Sequence, residues 1–441
     1  MQRHRMQWPI GRVCQISLTT HARSLCLVFL FALVELPPLA KAESVRSQRT
    51  VLSADRDWRF FLGDPPGAGA LGFDDHNWRT VSAPHDWSVE SPAEKTNPTG
   101  QSGGYSLAGI GWYRKSFSAP AVWRGKKVEI EFDGVAANAT VFLNGKKLGF
   151  HPYAYTTFRY DLTDALRAYS PNVLAIRVDN SQQPASRWYV GAGLYRHVRV
   201  IVTGPVHVAP WGVFVSTQNA AADAATIAVK TTVQNEAATS GQLTVRSVIT
   251  LQGATVAHLD TTALTDARSS QTLQQTIPLR QSKVWSPATP VLYQLRTQIL
   301  RRGEIVDETT TSFGIRTISW SVDKGLLING ASLKLLGGSV HHDNGPLGAA
   351  AYDRAEQRKV ELLKQAGYNA VRTAHNPPSP AFLEACDRIG LLVLEDAFDV
   401  WTTSKRTFDY ARYFPEWWDR DLTSMVERDR NHPSVIFLGD W

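Results

Sequence analysis

Residues 370–394 read AVRTAHNPPSPAFLEACDRIGLLVL, a stretch that changes rhythm twice. Ala370 to Thr373 has the composition of a short buried strand, after which Phe382, Leu383, Cys386 and Ile389 recur at helical spacing. Ser379 can cap that helix, Pro380 suits its first turn because the missing N–H would have no partner there, and Gly390 ends it. Leu391 to Leu394 then reads as the next strand. The same alternation runs in both directions. Leu333 to Val340 predicts a strand, and Tyr352 to Ala366 a helix closed by Gly367. Trp417 to Arg430 predicts a helix with Trp418, Leu422, Met425 and Val426 on one face, and Ser434 to Leu438 a fourth strand. Strands alternating with helices form a parallel sheet, whose commonest closed form is the (β/α)₈ barrel. About four of its eight strands lie in the sequence after Ser312.

Upstream of Ser312 the period is two. Val128-Glu129-Ile130-Glu131-Phe132 and Leu174-Ala175-Ile176-Arg177-Val178 alternate as half-buried antiparallel strands do. Asn144-Gly145 between two such runs predicts a two-residue hairpin, since both positions accept the positive φ of a type I′ turn. Residues 43–205 therefore form a first β-sandwich. Residues 206–313 repeat short strand patterns over a length that suits an immunoglobulin-like sandwich without a cysteine pair, with Pro287 and Pro290 at edges or loops. Residues 314–441 hold the barrel strands. At the other end, Arg3, Arg5, Arg12 and Arg23 precede an apolar run from Leu25 to Val34 and the small residues of Ala40-Lys41-Ala42. Residues 1–42 thus have the layout of a signal peptide, and the run is about half the ~20 residues that span a bilayer. The expectation is an exported protein, periplasmic or secreted, with no membrane contact after cleavage.

The net charge of +7 falls to +3 once the leader's five basic residues and one acid, Glu35, are removed, which gives no basis for nucleic-acid binding. Cys14 and Cys26 lie in the leader, so Cys386 is left alone and no intrachain disulfide is expected. Its place on an apolar helix face makes it a packing residue. Trp58, Trp78, Trp87 and Trp112 are expected to fill the first sandwich's core. His341, His342, Asp343 and His375 lack the spacing of a closed zinc site, and no metal or other cofactor is predicted.

In the first sandwich, Phe73-Asp74-Asp75 with Trp78, Pro84-His85-Asp86-Trp87, Gly111-Trp112-Tyr113-Arg114 and Phe132-Asp133-Gly134-Val135 follow one another in order. Arg187-Trp188-Tyr189, Gly191, Gly193 and Tyr195-Arg196 complete that set. Ser312-Phe313-Gly314-Ile315-Arg316 and Ile328-Asn329-Gly330 lead into the barrel. Three segments then end predicted strands: Gly337 to Asp343, Arg372 to Ser379, and Glu395-Asp396-Ala397-Phe398-Asp399. This series resembles glycoside hydrolase family 2, the β-galactosidase and β-glucuronidase family. The resemblance implies that the first sandwich is a sugar-binding jelly roll and that the chemistry sits at the C-terminal ends of the barrel strands. It also implies a carbohydrate partner, a β-galactoside or related glycoside, held by His342, His375 and Asn376, with Asp343, Asp396, Asp399 and Trp401 as further contacts. Polar groups would read the hydroxyls, and Trp401 would be the platform for the ring face.

Arg428 to Trp441 reads RDRNHPSVIFLGDW. Asn431-His432-Pro433-Ser434 resembles the family's approach to its acid/base, where the following strand ends in Asn-Glu. Here Leu438-Gly439-Asp440-Trp441 follows, and no Glu does. The family's retaining reaction needs two carboxyl groups about 5–5.5 Å apart, one to protonate the leaving oxygen and one to attack. The resemblance therefore predicts a chain without catalytic residues of its own, an inactive truncated form of a β-galactosidase-like enzyme. The alternatives are a non-catalytic carbohydrate-binding protein and a half-enzyme that needs a complementing C-terminal polypeptide; the protein partners open to the chain are a second copy in a homo-oligomer or that complementing half.

Overall fold

Antiparallel sheets run between Thr50 and Phe313. The computed structural model describes residues 49–220 and 223–439, so the expected leader, Asp440 and Trp441 lie outside the described residues. A six-stranded sheet, in the order Arg79–Val81, Trp58–Leu62, Ile110–Phe117, Asn172–Asp179, Ala139–Leu143 and Lys146–His151, faces a four-stranded one built on Val198–Thr203 and Lys127–Phe132. Their inward residues, among them Trp58, Trp87, Tyr113, Ile130 and Ile176, make the core of the jelly-roll sandwich. The expected hairpin is present: Asn144 and Gly145 have φ of 54° and 87°, and Leu143 pairs with Lys146. A three-stranded and a four-stranded sheet between Val206 and Phe313 form the immunoglobulin-like sandwich around Ile227, Val245, Leu295 and Ile299.

The α/β part follows. Its strands β1 (Gly337–Val340), β2 (Ala370–Thr373), β3 (Leu392–Asp396) and β4 (Val435–Gly439) lie side by side in sequence order, all parallel. Helices α1 (Asp353–Gln365), α2 (Pro380–Ile389) and α3 (Phe414–Asp429) connect them. Helix α2 has the ends its sequence predicts. Ser379 accepts from the Phe382 N–H at 3.2 Å, and Gly390, at φ 80°, returns its N–H to Cys386 at 2.8 Å. Cys386 is buried between α2 and the sheet.

Two expectations need correction. The strand predicted over Leu333 to Val340 is half as long, because the Asn369 side chain takes the place of a neighbouring strand, accepting from the Leu336 N–H at 2.7 Å and donating to the Lys334 carbonyl at 2.8 Å. Only Gly337 onward pairs with β2. Helix α3 begins at Phe414, three residues early, and Trp418 is 42% exposed at its start while Met425 carries the buried face.

Buried polar groups tie the jelly roll to the barrel loops. The Asp86 carboxylate accepts from the Ser88, Ala192 and Ala349 N–H groups, at 2.8–3.0 Å, and from the Tyr189 hydroxyl. The Arg196 guanidinium donates to the Tyr155 carbonyl at 2.7 Å and, across the junction, to the Pro377 carbonyl at 2.8 Å. His197 links Asp55, at 2.8 Å, to Asp353 in the first turn of α1, at 3.0 Å. Among the described residues no helix is long and apolar enough to cross a membrane.

Replacing Asp86 by Ala strands several buried donors, so Asp86→Ala is expected to cost about 3 kcal/mol, read as a fall in urea midpoint. The Asp55 hydrogen bond outweighs burial and raises the His197 pKa from 6.5 to about 9. A raised pKa contributes stability that is fully present below the unfolded value and is lost as pH rises through the folded one. Melting temperature should therefore fall between pH 6.5 and 9 in the native chain, and this component should be missing in His197→Gln.

Candidate active site

The parallel strands deliver their following residues to one face. After β1 come His341 and His342, after β2 His375 and Asn376, and after β3 Asp399. The chain bends at His342, just past the end of β1, and the two histidines take different surroundings. His342 turns inward, 8% exposed, and its Nε2 donates to the Val190 carbonyl at 2.9 Å. Burial depresses its pKa to about 3, which keeps it neutral. It holds the Val190 segment of the jelly roll against the barrel, with its Nδ1 buried. His341 turns outward, where its ring lies 5.4 Å from Trp188. Trp188 also meets His375 at 5.3 Å, so one indole contributed by the jelly roll stands beside two imidazoles of the barrel.

The electrostatics behind these rings are settled by ion pairs. Asp396, fully buried, faces Arg372 at 2.6 Å and the His375 Nδ1 at 3.4 Å. Burial raises its pKa despite both partners. Asp396 accepts from the Arg372 Nε at 3.1 Å, and the same guanidinium reaches the His375 Nδ1 at 3.4 Å. Asp399 binds Arg187 of the jelly roll, Nε to Oδ2 at 3.1 Å, and Lys405 at 3.2 Å. Burial would raise its pKa, but these two bonds lower it below the ordinary value. Deeper still, burial and the neighbouring Asp429 push the Glu395 pKa well up, next to Arg428.

The expected site residues are thus only partly gathered. His375, Asp396 and Asp399 converge. Asn376 is buried at the strand end with its N–H on the Thr373 carbonyl at 3.3 Å, and Asp343 is half-buried beside His341. Trp401 does not join them. It is 52% exposed and lies against Phe414 at 5.8 Å, while the indole beside His341 and His375 is that of Trp188. His341, Trp188, Arg187 and Arg372 are the residues that reading missed as site members. Arg187 and Trp188 sit on a loop that precedes the first barrel strand at Gly337 by 150 and 149 residues, and no local pattern links the two. Among the described residues no group of three or more His, Cys, Asp or Glu is placed to hold a metal ion.

Two β-sandwiches leading into parallel strands whose C-terminal ends present imidazoles, an indole and ion-paired carboxylates define a multidomain protein, mainly β and then α/β. Family models agree: the galactose-binding domain-like model of glycosyl hydrolase 2 matches residues 111–197, the glycosyl hydrolases family 2 model 206–316, and that family's TIM barrel model 321–439. The chain belongs to glycoside hydrolase family 2. A β-galactosidase of Bacteroides ovatus is 44% identical over 90% of this chain, and a putative β-glucuronidase of Formosa agariphila 37% over 88%. The chain spans 46% and 37% of those two relatives. The crystal structure of a family 2 member from Bacteroides cellulosilyticus is 42% identical and superposes with a TM-score of 0.86, covering 88% of this chain and 51% of that one.

Proposed function

We propose that the strand-end face built on Trp188, His341 and His375 holds the sugar ring of a β-galactoside-like carbohydrate. In this reading residues 49–439 supply the sugar-reading side of a retaining glycosidase site and not its two reacting carboxyls. The observation that carries it is the indole of Trp188 standing beside two imidazoles, one of them pinned by Asp396. A sugar needs an apolar surface for its ring face and fixed donors and acceptors for its hydroxyls, and this arrangement offers both. Asn376 and Asp343 lie within the same face, His342 acts through the loop it anchors, and Asp399 through Arg187.

The carboxylates in place are poor candidates for the reaction. A general acid must be protonated near neutrality and free to reach the leaving oxygen. Asp399 has a lowered pKa and two cationic partners, Asp396 has both oxygens turned to Arg372 and His375, and Glu395 is sealed beneath the sheet. The galactoside preference is supported by the 44% identical β-galactosidase, and export by the leader pattern of residues 1–42.

Titration calorimetry with methyl β-galactoside and methyl β-glucuronide tests the reading. The 441-residue chain should bind the galactoside saturably without releasing galactose. His375→Ala should abolish the binding, and Trp188→Ala should weaken it about tenfold, the worth of one stacking contact. Trp401→Ala should leave it unchanged. Binding that survives in His375→Ala overturns the assignment, and turnover by the 441-residue chain overturns the division of labour.

A further inference from the structure

Helix α1 buries a charge on the face where an amphipathic helix calls for apolar side chains. Glu356 is 3% exposed, and a carboxylate is rarely that deep without partners. Two polar side chains meet it. Asn344 donates to its Oε1 at 2.6 Å, and Lys359, three residues along the same helix face, brings its ammonium to 3.7 Å. That ammonium lies 5.8 Å from the centre of the Phe382 ring of α2 and donates to the carbonyls of His341 and His342, each at 3.3 Å. These carbonyls belong to consecutive residues. In an extended strand consecutive carbonyls point to opposite edges, so one cation gathers both only where the chain bends, and the bend falls at His342. Asn376 lines the same small cavity as Glu356 and Lys359, which places the charged pair beneath both loops that carry the candidate sugar contacts.

We propose that Lys359 is a positioning residue of the sugar face: by gathering two consecutive carbonyls it fixes the bend after β1, and with it the direction of the His341 ring. The ligand in this inference rests on the sugar reading proposed above, and the geometry on α1 and the bend. The two histidines depend on the cation unequally. His342 has an anchor of its own in the Val190 carbonyl, whereas His341 has its ring beside Trp188 and its carbonyl on Lys359. A loosened bend therefore displaces His341 first. Asn344, bound to Glu356, also sends its backbone N–H to the Gly348 carbonyl at 2.7 Å, so the same helix face steadies the loop beyond the histidines. A buried ion pair that served stability alone could be exchanged for uncharged side chains at little cost. An ammonium that holds two carbonyls in one direction has a geometric task that such an exchange removes.

Calorimetry with methyl β-galactoside and NMR of the histidine rings in the 441-residue chain test this, with the His341 signal assigned through His341→Gln. In Lys359→Met the affinity should fall about tenfold, the worth of one hydrogen-bonding contact, and the His341 signal should move as the ring leaves the Trp188 indole. The double variant Glu356→Gln/Lys359→Met removes both charges together and leaves no carboxylate buried alone. It should melt close to the native chain and show the same two changes. Lys359→Arg, which can still bridge two carbonyls, should restore both. A lowered melting temperature with native affinity and a native His341 signal assigns Lys359 to stability alone and overturns the proposal, as does lost affinity with the His341 signal in place. If the native chain binds no methyl β-galactoside, the sugar reading fails, and the double variant still decides the bend: a shifted His341 signal supports it and a native one overturns it.

Discussion

A guanidinium 1% exposed must find acceptors inside the protein, and Arg196 finds them on both sides of a domain junction. Its bonds to the Asp133 and Tyr155 carbonyls fix two jelly-roll segments, and its bond to the Pro377 carbonyl fixes the loop that carries His375 and Asn376. Leaving such a charge unpaired in the interior would cost several kcal/mol, so the jelly roll and the barrel loop are held in one relative position. The stacking of Trp188 beside His375 depends on that position. Asp86 and His342 reinforce the tie from neighbouring points, one collecting N–H groups from both domains and the other donating to the Val190 carbonyl.

The same economy shapes the charges of the site. A buried carboxylate is tolerated when cations and donors surround it. Asp396 and Asp399 meet that condition with Arg372, His375, Arg187 and Lys405. The pairing holds each carboxylate in place, Asp396 against Arg372 and Asp399 between the jelly-roll Arg187 and Lys405 of its own loop.

Local rules carry through most of the chain. Asn144-Gly145 makes the turn its φ preferences dictate, Ser379 and Gly390 bound α2, and the shift from period two to strand–helix alternation marks where the sheets become parallel. The family resemblance extended that reading to the strand ends. What it did not convey was direction across space. His341 and His342 are neighbours in sequence and diverge where the chain bends after β1, so choosing between them requires the jelly-roll surface that receives one of them. Trp401 lies two residues past the segment that resembles the family, and its ring packs on Phe414 of α3. Trp188 reaches the site only because the junction brings together residues more than 150 positions apart. Leu333 to Leu336 was read as strand because nothing local revealed that the Asn369 amide would stand in for a strand neighbour.

Asn431-His432-Pro433-Ser434 has a different job from the one its position suggests. The Asn431 amide accepts from the Val215 N–H and donates to the Val213 carbonyl, both at 2.8 Å, as a strand of the immunoglobulin-like sandwich would. His432 and Ser434 close on the buried Asp387 of α2, and Pro433 fills the space left by the missing side chain of Gly314. Every one of these contacts concerns assembly. A motif that sits just ahead of a reacting residue can therefore be kept by folding alone, and finding it in a genome is evidence that a barrel is built and not that a bond is cut.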